Sequence, residues 1–491
     1  MKTQTAIKTA SRFFIMLSIS LLLACAVNPV TGKREFMILT EQDEIQMGAE
    51  TDQEIAKTYG IYEAPQLTAY INRIGQDLKP HTHRPNMEYK FKVLDSPIVN
   101  AFAVPGGYIY MTRGILAYFN NEAELAGVLS HELGHVNARH TARSYSRASL
   151  AMLGIGIGSV ISEKFAKVAG VFEFGASLLF LKFSRDDERQ ADDLGVEYSS
   201  KAKYDAHQMA AFFETLERMH PQSGLSVLPD WFSTHPNPTD RIEAINTKTN
   251  EFQQTLNLQT AFIRQDEYLR QMDGLVFGED PRQGYVDGNV FYHPALRFFF
   301  PVPAGWQVVN TPAQVQMVSA EEDAVIYFTL AEGDSPEQAA LKFLEGIKAD
   351  VKNEESLRLN DFVIHKLIAD LTSGDENEEQ NEAEKLSLMS YFIQKDDLIY
   401  AFHGLSYQNK FSKYTPIFQQ TMGNFKRLMD PSKINVEPKR IKLQSVARQN
   451  ALRNVLSEFG VPSDKLEETA LLNGLHLDDT VERDRILKIV R

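Results

Sequence analysis

The run His131-Glu132-Leu133-Gly134-His135 puts two imidazoles and a carboxylate within five residues. Four residues advance a helix by about 400°, so His131 and His135 project the same way, one turn apart. Two nitrogens so placed can close on one zinc ion, with Glu132 beside them as general base for a metal-bound water. Such a site needs a third ligand. Further on, in Ser184-Arg185-Asp186-Asp187-Glu188-Arg189-Gln190-Ala191-Asp192, Glu188 and Asp192 are four apart and share a helical face. Glu188 would complete a two-histidine, one-carboxylate set that leaves a fourth position for water. Asp192 could then accept a hydrogen bond from a ligand imidazole and fix its tautomer. His140 is rejected as a ligand. It lies five positions after His135, about 140° round a helix, and Val136-Asn137-Ala138-Arg139 lacks a glycine-centred turn.

The elements that must hold these residues are legible around them. Asn120-Asn121 offers an N-cap, Glu122 and Glu124 fall in a first helical turn, and Leu125, Val128 and Leu129 supply apolar spacing. Upstream, the apolar run Ile98 to Val104, turned by Pro105-Gly106-Gly107, predicts a strand. It reads either as a core hairpin or as an edge on which a substrate peptide adds as a further strand. Ala206 to Met219 and Thr239 to Phe252 read as amphipathic helices closing the unit. Ahead of them, Ala148 to Phe183 reads as two apolar helices packed over the site or dipping into a membrane interface, neither half long enough to span a bilayer. Its Gly154-x-Gly156-x-Gly158 lacks the helix cap and acidic partner of a dinucleotide site.

Three more segments accompany these motifs: Asn100-Ala101-Phe102-Ala103-Val104-Pro105-Gly106-Gly107-Tyr108-Ile109-Tyr110, Thr112-Arg113-Gly114-Ile115-Leu116, and Ser233-Thr234-His235-Pro236-x-Pro238-x-x-Arg241. With His131-Glu132-x-x-His135 and Glu188-x-x-x-Asp192, this set resembles the gluzincin zinc metallopeptidases of the HtpX and CAAX-prenyl-endopeptidase type, and among them the soluble periplasmic BepA-like branch. The resemblance covers roughly residues 40 to 250. It implies one zinc per chain on His131, His135 and Glu188, catalysis by Glu132, and His235 and Arg241 as catalytic groups able to stabilise an oxyanion. In that branch the equivalent histidine is proposed to cap the metal at rest, an option for His235 that stands beside the transition-state role and beside a plain His-Pro turn before a helix. The branch carries 34-residue helical repeats after its peptidase; none is found after residue 250.

Lys2, Lys8 and Arg12 precede the apolar run Phe13 to Leu23, and Leu22-Leu23-Ala24-Cys25 has the form of a bacterial lipobox. The run is too short to span a bilayer, so residues 1–24 read as a lipoprotein signal peptide and Cys25, the sole cysteine, as the lipidated residue. A plain signal peptide is the alternative. Ala26 in place of an aspartate favours sorting to the outer membrane from the periplasmic side. Removing residues 1–24 takes three positive charges and no acid, moving the net charge from −14 to −17. An acidic chain gives no support to nucleic-acid binding.

The expected fold class is α+β and multidomain. Residues 25–275 form a mainly helical gluzincin peptidase domain with a short β-hairpin or sheet, residues 285–430 a small α+β accessory domain, and residues 437–491 a small LysM-like β-α-α-β module. The first boundary falls where Gly, Asp, Pro and Arg cluster between Gly274 and Asp287. In the accessory domain, Leu296 to Phe300, Val315 to Ser319, Ala324 to Leu330, Leu386 to Gln394 and Leu398 to Tyr407 predict strands. Ser335-Pro336-Glu337 starts a helix through Ile347, and the acidic run Asp375 to Glu384 reads as an exposed loop. The C-terminal resemblance is to a module that binds peptidoglycan glycan in relatives, although Arg448-Gln449-Asn450 replaces its usual Gly-Asp-Thr; a structural cap is the other reading. The remaining histidines, among them His81, His83, His207, His220, His293, His365, His403 and His476, lie outside ligand spacing. The function expected is a zinc-dependent endopeptidase of the bacterial envelope acting on misfolded or unassembled proteins. A mostly latent peptidase serving as chaperone or assembly factor, or a peptidoglycan-associated scaffold, is the alternative.

Overall fold

The computed structural model describes residues 25–154, 183–219, 231, 235, 239–371 and 385–491. A short hairpin, β1 (Cys25–Val27) with β2 (Arg34–Phe36), opens the described chain. Helices α1 (Glu41–Tyr59) and α2 (Pro65–Leu78) follow, then a three-stranded sheet of β3 (Lys90–Leu94), β4 (Ala101–Val104) and β5 (Tyr108–Thr112). β5 is central, parallel to β3 and antiparallel to β4, so β4 is an outer strand. It starts three residues later than the sequence predicts. Thr112 draws the preceding segment away from regular pairing: its hydroxyl donates to the Asn100 carbonyl at 2.9 Å and accepts from the Asn100 N–H at 3.2 Å. The turn into β5 is at Pro105-Gly106-Gly107, as its composition predicts. Gly106 and Gly107 have φ of +81° and +89°, and a Cβ on Gly107 would come within 2.4 Å of the Glu88 carbonyl oxygen, so only glycine fits there.

Helices α3 (Arg113–Tyr118), α4 (Glu122–Asn137), α5 (His140–Gly154), α6 (Arg185–Lys201), α7 (His207–Arg218), α8 (Thr239–Thr255) and α9 (Gln265–Met272) complete the first unit. α4 is buried on every side, which explains its apolar and small residues around the whole circumference. The apolar pair expected over Ala148 to Phe183 lies outside the described residues from 155 to 182. Among the described residues, no helix is long and apolar enough to cross a membrane.

The second unit is an antiparallel sheet of seven strands: β9 (Gln307–Asn310), β10 (Gln314–Val318), β11 (Ala324–Ala331), β12 (Ala349–Leu359), β13 (Phe362–Leu371), β14 (Leu386–Lys395) and β15 (Leu398–Tyr407), in the order β12-β13-β14-β15-β11-β10-β9. Each face carries its own apolar cluster. Helix α10 (Pro336–Glu345), capped by Ser335, packs on one face and α11 (Phe411–Met422) on the other. A smaller sheet of β6 (Tyr285–Asp287), β7 (Val290–His293), β8 (Phe298–Pro301) and β16 (Lys426–Arg427) adjoins it. The acidic run of residues 375–384 lies outside the described residues.

The C-terminal segment runs β17 (Ile441–Ser445), β18 (Asn450–Ala451), α12 (Leu452–Glu458), α13 (Leu466–Leu472), β19 (Thr480–Val481) and β20 (Ile486–Val490), with β17 antiparallel to β20 and the short β18 antiparallel to β19, one added strand on each side of the helices. It has a small core of its own, yet Ile441, Leu471 and Leu472 belong to the core of the first unit. The Gly274 N–H donates to the Ile441 carbonyl at 2.8 Å and the Ile441 N–H to the Leu275 carbonyl at 2.9 Å. The segment is thus joined to the helical unit by main chain as well as by side chains.

Candidate metal centre

The Asn121 side chain caps α4 by accepting the Glu124 N–H at 2.9 Å, with Glu122 and Glu124 in the positive first turn, as the sequence predicts. α6 starts at a capping box in which Ser184 and Asp187 bond each other's backbone N–H. The two helices meet at glycine: a Cβ on Gly134 would stand 3.1 Å from both the Cα and the carbonyl oxygen of Ala191, and one on Gly195 3.3 Å from the His131 nitrogen. That close approach brings Glu188 to the histidines.

His131, His135, Glu188 and His235 converge with one donor atom each, all within 4.8 Å of one another, and all four residues are buried. A tetrahedron with zinc-to-ligand bonds of about 2.0–2.1 Å has donor-to-donor edges of roughly 3.3–3.4 Å. His131 Nε2 lies 3.0 Å from His135 Nε2 and 3.4 Å from His235 Nδ1. Glu188 oxygens lie 3.8 Å from His131 Nε2, 3.6 Å from His135 Nε2 and 3.0 Å from His235 Nδ1. Measured to one or other Glu188 oxygen, these distances are of the order of that edge, and the donor set fits a zinc ion, with His235 as a fourth donor.

Glu132 is fully buried, and among the described residues neither carboxylate oxygen has a hydrogen-bond partner; its Oε1 lies 3.7 Å from His235 Nε2. Burial pushes its pKa up, the direction that suits a group that takes and returns a proton. Burial, together with the neighbouring histidines, holds His135 well below the usual histidine range, leaving the neutral imidazole that a metal needs. Glu188 is pushed up by burial, but His235 and Arg241 override this and hold it ionised.

Asp192 and Arg241 also reach the centre. Asp192 Oδ1 lies 3.0 Å from His131 Nδ1, the ring nitrogen turned away from the donor cluster. Arg241 Nη1 stands 2.8 Å from Glu188 Oε2, and its remaining contacts run to Asp192 and, at 4.8 Å, over the Phe213 ring. A guanidinium held by two carboxylates orients them. His235 is positioned by Trp231, whose ring stacks on it at 4.2 Å and whose carbonyl accepts the His235 N–H at 2.9 Å. The Trp231 N–H in turn reaches the Val99 carbonyl at 3.3 Å, just ahead of the outer strand. Phe183 covers His135 with ring centroids 4.1 Å apart.

His140 is absent from the converging donors, consistent with its rejection as a ligand, but it has a place that spacing did not foretell. Its Nδ1 meets His135 Nδ1 at 2.9 Å, and its Nε2 meets the Gln190 amide oxygen at 2.9 Å. The usable signal was the pair Arg139-His140 after the helix end, once Arg139 is allowed a left-handed backbone. Cys25 begins the first hairpin and is not among the described converging donors.

The model of Peptidase family M48 matches residues 65–249, which include His131, Glu132 and His135 on α4, Glu188 on α6, and His235. Among curated proteins, the beta-barrel assembly-enhancing protease of Escherichia coli (strain K12) is 28% identical over 232 residues, 45% of this chain and 47% of that protein. The protein of the same name from Yersinia pestis is 30% identical over 201 residues, 39% of this chain and 40% of its own length. The mitochondrial metalloendopeptidase OMA1 of Schizosaccharomyces pombe is 28% identical over 223 residues, 44% of this chain and 64% of its own. The chain thus spans less than half the length of the beta-barrel assembly-enhancing proteases it matches.

Proposed function

We propose, from the match of residues 65–249 to peptidase family M48, that this chain is a zinc-dependent endopeptidase of the bacterial envelope. The observation that carries the reading is the convergence of His131, His135, Glu188 and His235 within 4.8 Å beside a buried Glu132 that has no hydrogen-bond partner among the described residues. His131, His135 and Glu188 hold the metal. Zinc, when bound, supplies Lewis acidity that acidifies water and polarises a scissile carbonyl. Glu132 accepts the proton of the attacking water and delivers it to the leaving amine, which its lack of any competing hydrogen-bond partner permits. Asp192 keeps the His131 ring turned to the metal, and Arg241 holds Asp192 and Glu188 in register. The outer strand Ala101–Val104 offers main-chain pairing to an extended substrate, which reads backbone more than side chain and suits unfolded chains. Misfolded or unassembled envelope proteins are the substrates this implies; the bacterial relatives named for enhancing beta-barrel assembly support it. Lipidation at Cys25 would anchor the enzyme to the outer membrane from the periplasm, and the LysM-like segment would give it access to peptidoglycan.

One observation favours a second state of the same enzyme. His235, buried beside the other three donors, would compete with water for the metal, which supports a resting state that opens when Trp231 and His235 withdraw. In that form the protein acts by binding, as an assembly factor. The experiment is zinc content and cleavage of casein by the full chain and by Glu132→Gln. The expected result is one zinc in both and cleavage in the first alone. Cleavage surviving Glu132→Gln, or a folded chain that takes up no zinc, overturns the reading.

A further inference from the structure

A lysine from the C-terminal segment is buried inside the helical unit. Lys488, on β20, has no exposed surface. Its Nζ donates to the Ala117 carbonyl and the Phe119 carbonyl, both at 2.7 Å. These are carbonyls at the C-terminal end of α3, where a cation completes the unpaired acceptors and meets the negative end of the helix dipole. The segment between α3 and α4 is therefore fastened from the module's side.

The same turn is fastened from the other side by the helix it leads into. Glu124, in the first turn of α4, accepts the Asn120 N–H at 2.7 Å and the Asn121 side-chain N–H at 3.0 Å. Burial pushes the Glu124 carboxyl up and the Lys488 ammonium down, and the charge of each opposes the shift of the other. The module's own frame fixes the lysine: the Lys488 N–H donates to Asn473 Oδ1, and the Asn473 amide donates to the Lys488 carbonyl, both at 2.8 Å. The next residue, Gly474 at φ +64°, abuts Asn120 so closely that a Cβ would stand 2.9 Å from its amide nitrogen. Arg218 of α7 donates to the Leu475 carbonyl at 2.8 Å. Two elements of the peptidase unit, the turn holding Asn120 and helix α7, thus meet one turn of the module.

We infer that Lys488 is a positioning residue for the metal site: by clamping the Ala117–Asn121 turn it sets where α4 begins, and hence where His131, Glu132 and His135 stand. The inference rests on the metallopeptidase reading of that helix. Glu124 and His131 are seven residues apart on one helix, about 10 Å, so a shift or tilt at the first turn is carried directly to the ligands. A misplacement of about 1 Å at a catalytic group costs on the order of a hundredfold in rate. The C-terminal segment is, in this account, a part of the peptidase and not an appendage tethered to it.

The test uses the full chain as Lys488→Met and as the double variant Glu124→Gln/Lys488→Met, which removes the uncompensated buried carboxylate. Each is loaded with cobalt(II) in place of zinc, and its visible ligand-field spectrum, metal affinity and melting temperature are compared with wild type; the zinc forms give kcat and KM on an unfolded protein substrate. The expected result is a folded double variant with a changed cobalt spectrum, metal affinity reduced at least tenfold, and kcat reduced at least tenfold at a KM within twofold. A folded double variant with the wild-type spectrum and affinity overturns the inference. Failure of both variants to fold overturns it too, since Lys488 would then serve folding alone. A wild-type chain that binds no cobalt overturns the reading of the site itself, a distinct result because it needs no Lys488 variant.

Discussion

Arg241 grips both carboxylate oxygens of Asp192, Nε to Oδ2 and Nη2 to Oδ1 each at 2.7 Å. The same guanidinium touches Glu188, and the same carboxylate stands against His131, so one buried pair links a helix beyond the site to two of the proposed ligands. Arg241→Lys removes the planar two-pronged contact while keeping the charge. The expected outcome is metal affinity lower by ten- to a hundredfold, read by competition with a chelator, and a similar loss in Asp192→Asn. Unchanged affinity in both would show that the histidine ring needs no support.

His235→Ala separates capping from catalysis. Three ligands remain, so the variant should keep its zinc, and cleavage of casein should rise because the fourth corner opens to water. A variant that keeps zinc and loses cleavage instead would make His235 a transition-state group.

Much of this site could be read from residue order. Asn121 and Ser184 cap the two helices that carry it, and the four-residue spacings of His131 with His135 and of Glu188 with Asp192 put each pair on one face. What spacing missed follows from places where the chain leaves regular geometry or meets a distant segment. The angle used to discard His140 assumes one continuous helix, but α4 ends at Asn137 and Arg139 turns left-handed at φ +57°, held by Glu44 at 2.6 Å, so His140 starts a new helix that returns its ring to His135. Arg241 is bound by two carboxylates whose approach only the fold reveals. The strand Ala349–Leu359 runs through the polar stretch Lys352–Ser356 and is the outer strand of its sheet with most side chains exposed, so alternation gives little signal. Nothing local marks Lys488 as buried, since its partners lie some 370 residues away.

His140 and Gln190 form a second support for a ligand. Gln190→Ala removes the partner of His140 Nε2 and frees that ring to rotate away from His135. We expect a several-fold loss of zinc affinity with the fold intact by circular dichroism. His140→Ala should lose more, and equal affinity in both variants and wild type would show that packing against Phe183, His131 and His235 holds the His135 ring without His140.

Acid should destabilise the accessory domain. His403 is buried against the Phe343 ring at 4.2 Å, with its Nδ1 2.8 Å from Ser390 Oγ, and burial pushes it down to about 3; burial pushes His293 down to about 4. The unfolded chain takes up these protons near pH 6.5, and the folded chain does not until the depressed values are reached. Stability contributed by neutral His403 is therefore present above about pH 6.5 and is lost as pH falls towards 3, at roughly 1.4 kcal/mol per pH unit. His403→Gln keeps a partner for Ser390 and cannot be protonated, so its melting temperature should fall less steeply with acid. An unchanged slope would place the acid-sensitive group elsewhere.

Gly134 sets the distance between the helices that carry the ligands. Its place inside the HExxH run is not demanded by the chemistry, since the residue bears no ligand. A Cβ there would meet the Ala191 backbone at 3.1 Å and Leu194 Cβ at 3.2 Å, which leaves no room for one. Gly134→Ala gains about 0.5–1 kcal/mol of helix propensity and meets an overpacking cost of typically 1–3 kcal/mol. The net change in stability is therefore small, whereas relief of the clash moves α6 away by a few tenths of an ångström. Glu188 rides on that helix, one turn ahead of Asp192, so the carboxylate leaves the histidines while the fold persists. The expected outcome is a melting temperature within a few degrees of wild type and zinc affinity reduced by tenfold or more. A variant that loses stability and metal affinity in proportion would show that α6 cannot shift independently of the core, and that the spacing of the ligands is fixed by the whole helical unit.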